Sequence, residues 1–137
     1  MNRSLLVTGG AGFIGSHLIQ KLAEDHYKIR ILDNLSSGKL ENLDCELLGD
    51  GSVEFIEGDI RDPIIVQKCV KNVNAVIHLA AQISVPLSIQ DPEFNNEVNI
   101  KGTSNLLNQS IDAGVGKFVF VSSCAVYGEP VYLPVDE

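Results

Sequence analysis

Leu5-Leu6-Val7-Thr8-Gly9-Gly10-Ala11-Gly12-Phe13-Ile14-Gly15-Ser16-His17-Leu18-Ile19 is a short apolar run, a glycine-rich turn and the opening of an amphipathic segment, in that order. Glycines 9, 12 and 15 give the spacing GxxGxxG. Such a turn uses one glycine to bend sharply, a second to let a pyrophosphate approach the backbone, and a third for close packing of helix on sheet. The helix that follows offers unpaired N–H groups and a partial positive charge to phosphates. Ile14, Leu18, Ile19 and Leu22 fall at i, i+4, i+5 and i+8, which predicts one apolar helical face. Ile29-Arg30-Ile31-Leu32 then closes a β-α-β unit and runs into Asp33, 18 residues after Gly15. A carboxylate there can accept hydrogen bonds from a ribose diol and would repel a 2′-phosphate, so NAD is expected rather than NADP. Arg30 and Lys39, close by in sequence, keep NADP as an alternative.

Three further apolar runs, Val53 to Ile56, Ala75 to Ala81 and Phe118 to Val121, bring the total to five and read as buried parallel strands. Asp62-Pro63 predicts a helix N-cap with proline at the first helical position, leading Ile65, Val66, Cys69 and Val70. Asp91-Pro92 repeats that signal before a long helix through Val98, Leu106, Leu107 and Ile111, stopped near Gly114. The stretch from Asn34 to Gly51, with three glycine or serine-rich breaks, is the least determined by its sequence. Without internal repeats or linker-like runs, residues 1–137 read as one domain. Alternating strands and helices need right-handed crossovers and a parallel sheet covered on both faces. The fold class is therefore α/β, a doubly wound Rossmann-type sheet with expected strand order 3-2-1-4-5 and a ligand crevice at the carboxyl ends of strands one and four.

The bulk properties narrow the partners. A net charge of −8 disfavours a nucleic-acid or anionic-membrane surface, since binding there needs clustered Lys and Arg. No window approaches the roughly 20 apolar residues that cross a bilayer, and no signal-peptide pattern opens the chain, so a cytoplasmic location is expected. Cys45, Cys69 and Cys124 have no CxxC spacing, and no metal site or disulfide framework is expected.

Five segments together resemble the nucleotide-sugar epimerases and dehydratases, the extended branch of the short-chain dehydrogenases. They are Thr-Gly-Gly-Ala-Gly-Phe-Ile-Gly-Ser-His at 8–17, Asp-Asn-Leu-Ser-Ser-Gly at 33–38, Gly-Asp-Ile-Arg-Asp at 58–62, His-Leu-Ala-Ala at 78–81 and Val-Ser-Ser-Cys-Ala-Val-Tyr-Gly at 121–128. The resemblance covers essentially the whole chain and implies NAD as cofactor and a nucleotide sugar as substrate. It implies that Gly9, Gly12, Phe13, Ile14 and Gly15 form the pyrophosphate turn, and that Asp33, Asn34, Ser36 and Gly38 surround the adenosine ribose. Asp59 would accept from the adenine amino group with the Ile60 backbone beside it. Leu79, Ala80 and Ala81 would line the cofactor, and Asn99 would lie on the helix that closes that wall. Ser122 and Ser123 end the fifth strand, where Ser123 would hydrogen-bond the substrate hydroxyl being oxidised.

Two features bear on the reaction. Family members that eliminate water carry an Asp-Glu pair where this chain has Cys124-Ala125, which favours a 4-epimerase-like parent over a 4,6-dehydratase. The family's Tyr-x-x-x-Lys helix, source of the base, is not found in the 137 residues: Tyr127 is followed four residues on by Val131. The chain is therefore expected to be an incomplete NAD-binding domain without its substrate domain, and inactive alone. A 4,6-dehydratase, another extended short-chain dehydrogenase and a non-catalytic NAD-binding module stay open. An uncovered apolar edge at Phe118 to Val121 and the helix with Leu106, Leu107 and Ile111 lead to an expected homodimer or other self-association.

Overall fold

A computed structural model describes residues 4–49 and 51–136. Five strands form one parallel sheet: β1 (Ser4–Thr8), β2 (Lys28–Asp33), β3 (Val53–Glu57), β4 (Ala75–His78) and β5 (Lys117–Phe120). Their spatial order is β3-β2-β1-β4-β5, as the alternating pattern leads one to expect. Register runs Val7 beside Ile31 on one side and Ile77 on the other.

Side chains alternate across a strand, so a sheet covered on both faces needs apolar residues at successive positions. Leu6 faces one layer, where Leu32, Val66, Val70, Val76 and Leu106 close around it under helices α3 (Pro63–Val70) and α6 (Thr103–Asp112). Val7 faces the other, with Ile19 of α1 (Phe13–Glu24), Ile29, Ile31 and Val53. Every one of these side chains is buried. On α1 the expected apolar face is displaced: Ile19 is buried and Leu18 and Leu22 pack beside it, but Ile14 is 63% exposed. Ile14 lies in the first turn of the helix, where spacing alone cannot tell whether a neighbour is present.

The capping chemistry at the helix starts follows the sequence. Asp62 accepts from Ile64 and Ile65 N–H with Pro63 behind it, and Asp91 accepts from Phe94 N–H ahead of α5 (Pro92–Asn96). Past Glu97 the long helix changes character: Glu97–Gly102 is a π-helical turn before α6 begins. One expectation needs correction, and two elements are new. The fourth strand stops at His78, and Leu79, Ala80 and Ala81 continue past its carboxyl end as irregular backbone, with Leu79 N–H still bonded to Thr8 O. An unforeseen short helix, α4 (Val85–Gln90), follows, capped by the Ser84 hydroxyl. The stretch after Asn34 is also more ordered than its glycines and serines suggest, with a 3-10 turn at Leu40–Asn42 and a short helix α2 (Cys45–Gly49). Among the described residues no helix is long and apolar enough to cross a membrane, and no group of His, Cys, Asp and Glu could hold a metal ion.

Candidate cofactor crevice

β1 has a neighbour on each side whose connections leave in opposite directions, and such a switch point opens a crevice at the strand carboxyl ends. The glycine turn sits there. Gly9 takes φ +71°, a left-handed conformation that L side chains rarely adopt, and its N–H donates to Leu32 O at 2.9 Å. A Cβ on Gly15 would lie 2.4 Å from Gly9 O, and one on Gly10 2.6 Å from the Ile31 side chain. Those two glycines are needed for packing. Gly12 is different: a Cβ there would meet only Gly9 O, at 3.3 Å, so its bare face looks outward. Gly12 is also the N-cap of α1, where no side chain caps the helix and the first turn holds no acid. That leaves the first-turn N–H groups and the helix dipole available to an external anion. Phe13 and Ile14 are the exposed first residues of this turn.

Asp33 ends β2 with only 7% of its surface exposed. Its Oδ2 accepts from Ala11 N–H at 2.9 Å and its Oδ1 from Leu35 N–H at 2.8 Å. Each oxygen keeps a lone pair, so the carboxylate can hold the glycine turn and still accept from a diol. Leu35 stands at φ +56°, Asn34 Oδ1 accepts from Ser36 N–H, and Gly38 presses on Ala11 so closely that a Cβ would be 2.8 Å from its carbonyl carbon. Asn42 completes this clamp by donating to Ala11 O at 2.8 Å. Sequence reasoning missed Asn42, whose only signal was a polar residue in an irregular stretch.

Arg30, kept as a possible 2′-phosphate ligand, is committed elsewhere. Its Nη1 donates to Cys69 O and Lys71 O at the carboxyl end of α3, and its Nε pairs with Glu54 at 2.7 Å. A strand cation thus caps a neighbouring helix's unpaired carbonyls. Lys39 remains, exposed beside the clamp, its N–H bonded to Ala11 O.

The model of the NAD dependent epimerase/dehydratase family matches residues 5–137. The chain belongs to that family. A UDP-glucose 4-epimerase of Mycolicibacterium smegmatis is 43% identical over 134 residues, covering 96% of this chain and 42% of the relative. A crystal structure of UDP-glucose 4-epimerase with UDP-glucose, from Thermotoga maritima, superposes at TM-score 0.83 with 43% identity, covering 95% of this chain and 41% of that one. A Thermus thermophilus UDP-glucose 4-epimerase complex with NAD gives 0.77 at 40% identity, covering 88% and 37%. The chain therefore spans about two fifths of the length of these relatives.

In this epimerase/dehydratase family chain, Asp59 is held by four donors. Arg61 supplies its N–H and Nε to Oδ1 and its Nη2 to Oδ2, and Asn34 Nδ2 donates to Oδ2 at 3.1 Å. The Arg61 bonds hold the carboxyl well below the usual range, at about 2. Arg61 in turn lies 5.2 Å over the Phe94 ring, and the buried Ile60 gives its carbonyl to Asn105. Across the crevice Leu79 N–H donates to Thr8 O, and Gly9 abuts Ala80: a Cβ there would come within 2.7 Å of Ala80 N. Ala81 is exposed just beyond. Asn99, in the π-turn, spends its amide on the loop, accepting from Gln82 N–H at 2.8 Å and donating to Gln82 O at 2.9 Å and Asn95 Oδ1 at 3.0 Å. Ser122 and Ser123 follow β5, both exposed, and Ser123 Oγ caps the turn Cys124–Tyr127 through Ala125 N–H.

His78 is buried behind the wall of this family chain's crevice, and burial pushes it down to about 4. Its folded pKa is below the unfolded value near 6.5, so the stability held by the neutral ring is complete above pH 6.5 and is lost as pH falls toward 4. Between pH 7 and pH 5 the loss is expected to be about 2 kcal/mol. The Asp59 shift acts below pH 3.8 and so lies outside that window. Denaturant titrations at the two pH values check this; an unchanged unfolding free energy would contradict it.

Proposed function

We propose that the chain is the NAD-binding part of a nucleotide-sugar 4-epimerase. The observation that carries the reading is the uncapped α1 N-terminus behind Gly12, standing over a carboxylate with spare acceptor capacity, Asp33. Phosphate oxygens fit the first-turn N–H groups, a ribose diol fits Asp33 with Asn34, Ser36 and Gly38 around it, and an adenine amino group fits Asp59 beside Ile60. Leu79, Ala80, Ala81 and Asn99 form the opposite wall. Bound NAD would supply hydride acceptance from C4 of the sugar and its return to the other face of the keto-sugar. This chain's own part is to orient the cofactor and, through Ser123, to hold the C4 hydroxyl.

Two facts support epimerase over dehydratase. Cys124-Ala125 offers no acid/base pair, and the relatives named above are 4-epimerases. Calorimetry is expected to find NAD binding, with NADP at least tenfold weaker, and a polypeptide of these 137 residues is expected to turn over no UDP-glucose, since it contains no Tyr-x-x-x-Lys segment. Absence of NAD binding overturns the cofactor reading; steady epimerisation overturns the inactivity. The exposed Ile100, Leu107 and Ile111 on the long helix, with Phe120 on β5, support self-association as part of the same proposal. A monomer by light scattering at high concentration counts against that part.

A further inference from the structure

Beneath the opposite wall a row of hydrogen bonds crosses the fold from β1 to the π-turn, and His78 is its centre. The ring is 1% exposed, with Phe118 and Phe120 of β5 packed against it at centroid distances of 6.1 and 5.8 Å. Its Nδ1 lies 2.6 Å from Thr8 Oγ1 and its Nε2 lies 2.9 Å from Thr103 Oγ1. The neighbours decide the proton. Thr103 Oγ1 donates to Asn99 O at 2.8 Å, so that hydroxyl has only lone pairs left for the ring, and Nε2 must carry the hydrogen. Nδ1 is then bare and accepts from the Thr8 hydroxyl. Thr8 Oγ1 keeps a lone pair for Ala80 N–H, at 3.3 Å. The opposite tautomer would leave Asn99 O without the Thr103 hydroxyl and the Thr8 hydrogen without an acceptor in this row. A doubly protonated ring would keep the Thr103 bond but would likewise leave the Thr8 hydrogen without an acceptor in this row, and the partners of the ring among the described residues are the uncharged Thr8, Thr103, Phe118 and Phe120.

Both ends of this row reach the residues that face the glycine turn. At one end Thr8 holds Ala80, which touches Gly9; at the other Thr103 holds the Asn99 carbonyl, and the Asn99 side chain holds Gln82 by two bonds. The four residues that leave β4 are therefore pinned at their second and fourth positions through one imidazole.

We propose that His78 is a positioning residue: as the Nε2–H tautomer it locks the loop from Leu79 to Gln82 to β1 and to the π-turn, setting the width of the crevice between that loop and the glycine turn. The consequence for cofactor affinity rests on the NAD reading above; the tautomer and the locking do not.

The test uses the protein with 15N-labelled histidine. Long-range proton–nitrogen correlation is expected to show Nε2 protonated and Nδ1 bare from pH 8 to pH 5; a ring protonated at Nδ1 overturns the proposal. Thr103→Val cuts one end of the row with little change of shape, and His78→Leu cuts both. Amide exchange at Ala80 and Gln82 is expected to speed up at least tenfold in Thr103→Val while Val7 and Leu32, in the central strands, keep their rates. Equal acceleration everywhere marks a general loss of stability and refutes a local role. Where wild-type protein binds NAD, Thr103→Val is expected to weaken it about tenfold; unchanged affinity refutes the effect on the crevice. Wild-type protein that binds no NAD refutes the proposed function, and the tautomer and exchange readings still decide the role of His78.

Discussion

Asp33→Ala is expected to weaken NAD binding more than a hundredfold. The carboxylate makes two kinds of contact. Inside the fold it accepts from Ala11 and Leu35 N–H, and those bonds hold the glycine turn and the strained Leu35 in place. Toward the crevice its remaining lone pairs are offered to a ribose diol. A hydrogen bond to a charged group is worth roughly 1.5–3 kcal/mol, so two lost diol contacts amount to about 3 kcal/mol or more, a factor above one hundred. Removing the internal acceptors strands two N–H groups at a 7% exposed site, which adds a stability loss of about 2 kcal/mol. Asp33→Asn is no milder for the fold, because its NH2 must face one of the two N–H donors. Calorimetry with NAD and thermal melts of the same sample check both effects. Binding within threefold of wild type would show that Asp33 does not hold the ribose.

Gly15→Ala is expected to destabilise the fold and abolish NAD binding together, although it places the best helix former in a helix. Propensity alone predicts a gain of about 1 kcal/mol. The new Cβ, however, would stand 2.4 Å from Gly9 O and 2.7 Å from Gly10 Cα, and backbone cannot rotate away as a side chain can. Overpacking of this kind costs about 1–3 kcal/mol or more, so the clash outweighs propensity and the turn must lift off α1. Lifting it moves the N–H groups that phosphates would meet. Gly12→Ala separates the two effects. Its Cβ meets one atom at 3.3 Å, so stability is expected to change by less than about 1 kcal/mol while the methyl group enters the path of the pyrophosphate. Equal stability loss in both variants would contradict this division of roles among the glycines.

What could be read early was local or periodic. GxxGxxG between an apolar run and a helical face specifies its own turn, because the residues that need glycine are neighbours in sequence. Asp62 and Asp91 cap the amides two or three positions on, within the reach of one side chain. Leu6 and Val7, apolar in succession, require cover on both faces wherever the strand lies. What could not be read involves partners far apart along the chain. Arg30 looked like a phosphate ligand from its place beside Asp33, but its side chain alternates to the opposite face of β2 and reaches carbonyls near residue 70.

The amino-acid sequence by itself determined the α/β fold, the strand order expected of it and the family, because periodicity, glycine spacing and an acid at a strand end act over a few residues. The tertiary structure alone decided where β4 ends, that Ile14 stays exposed, and that Asn42 clamps Ala11. It also decided that Asn99 holds Gln82 and that His78 carries its hydrogen on Nε2. Each of these turns on a hydrogen bond or a packing contact between segments that only the folded sheet brings together, and such contacts leave no period in the sequence.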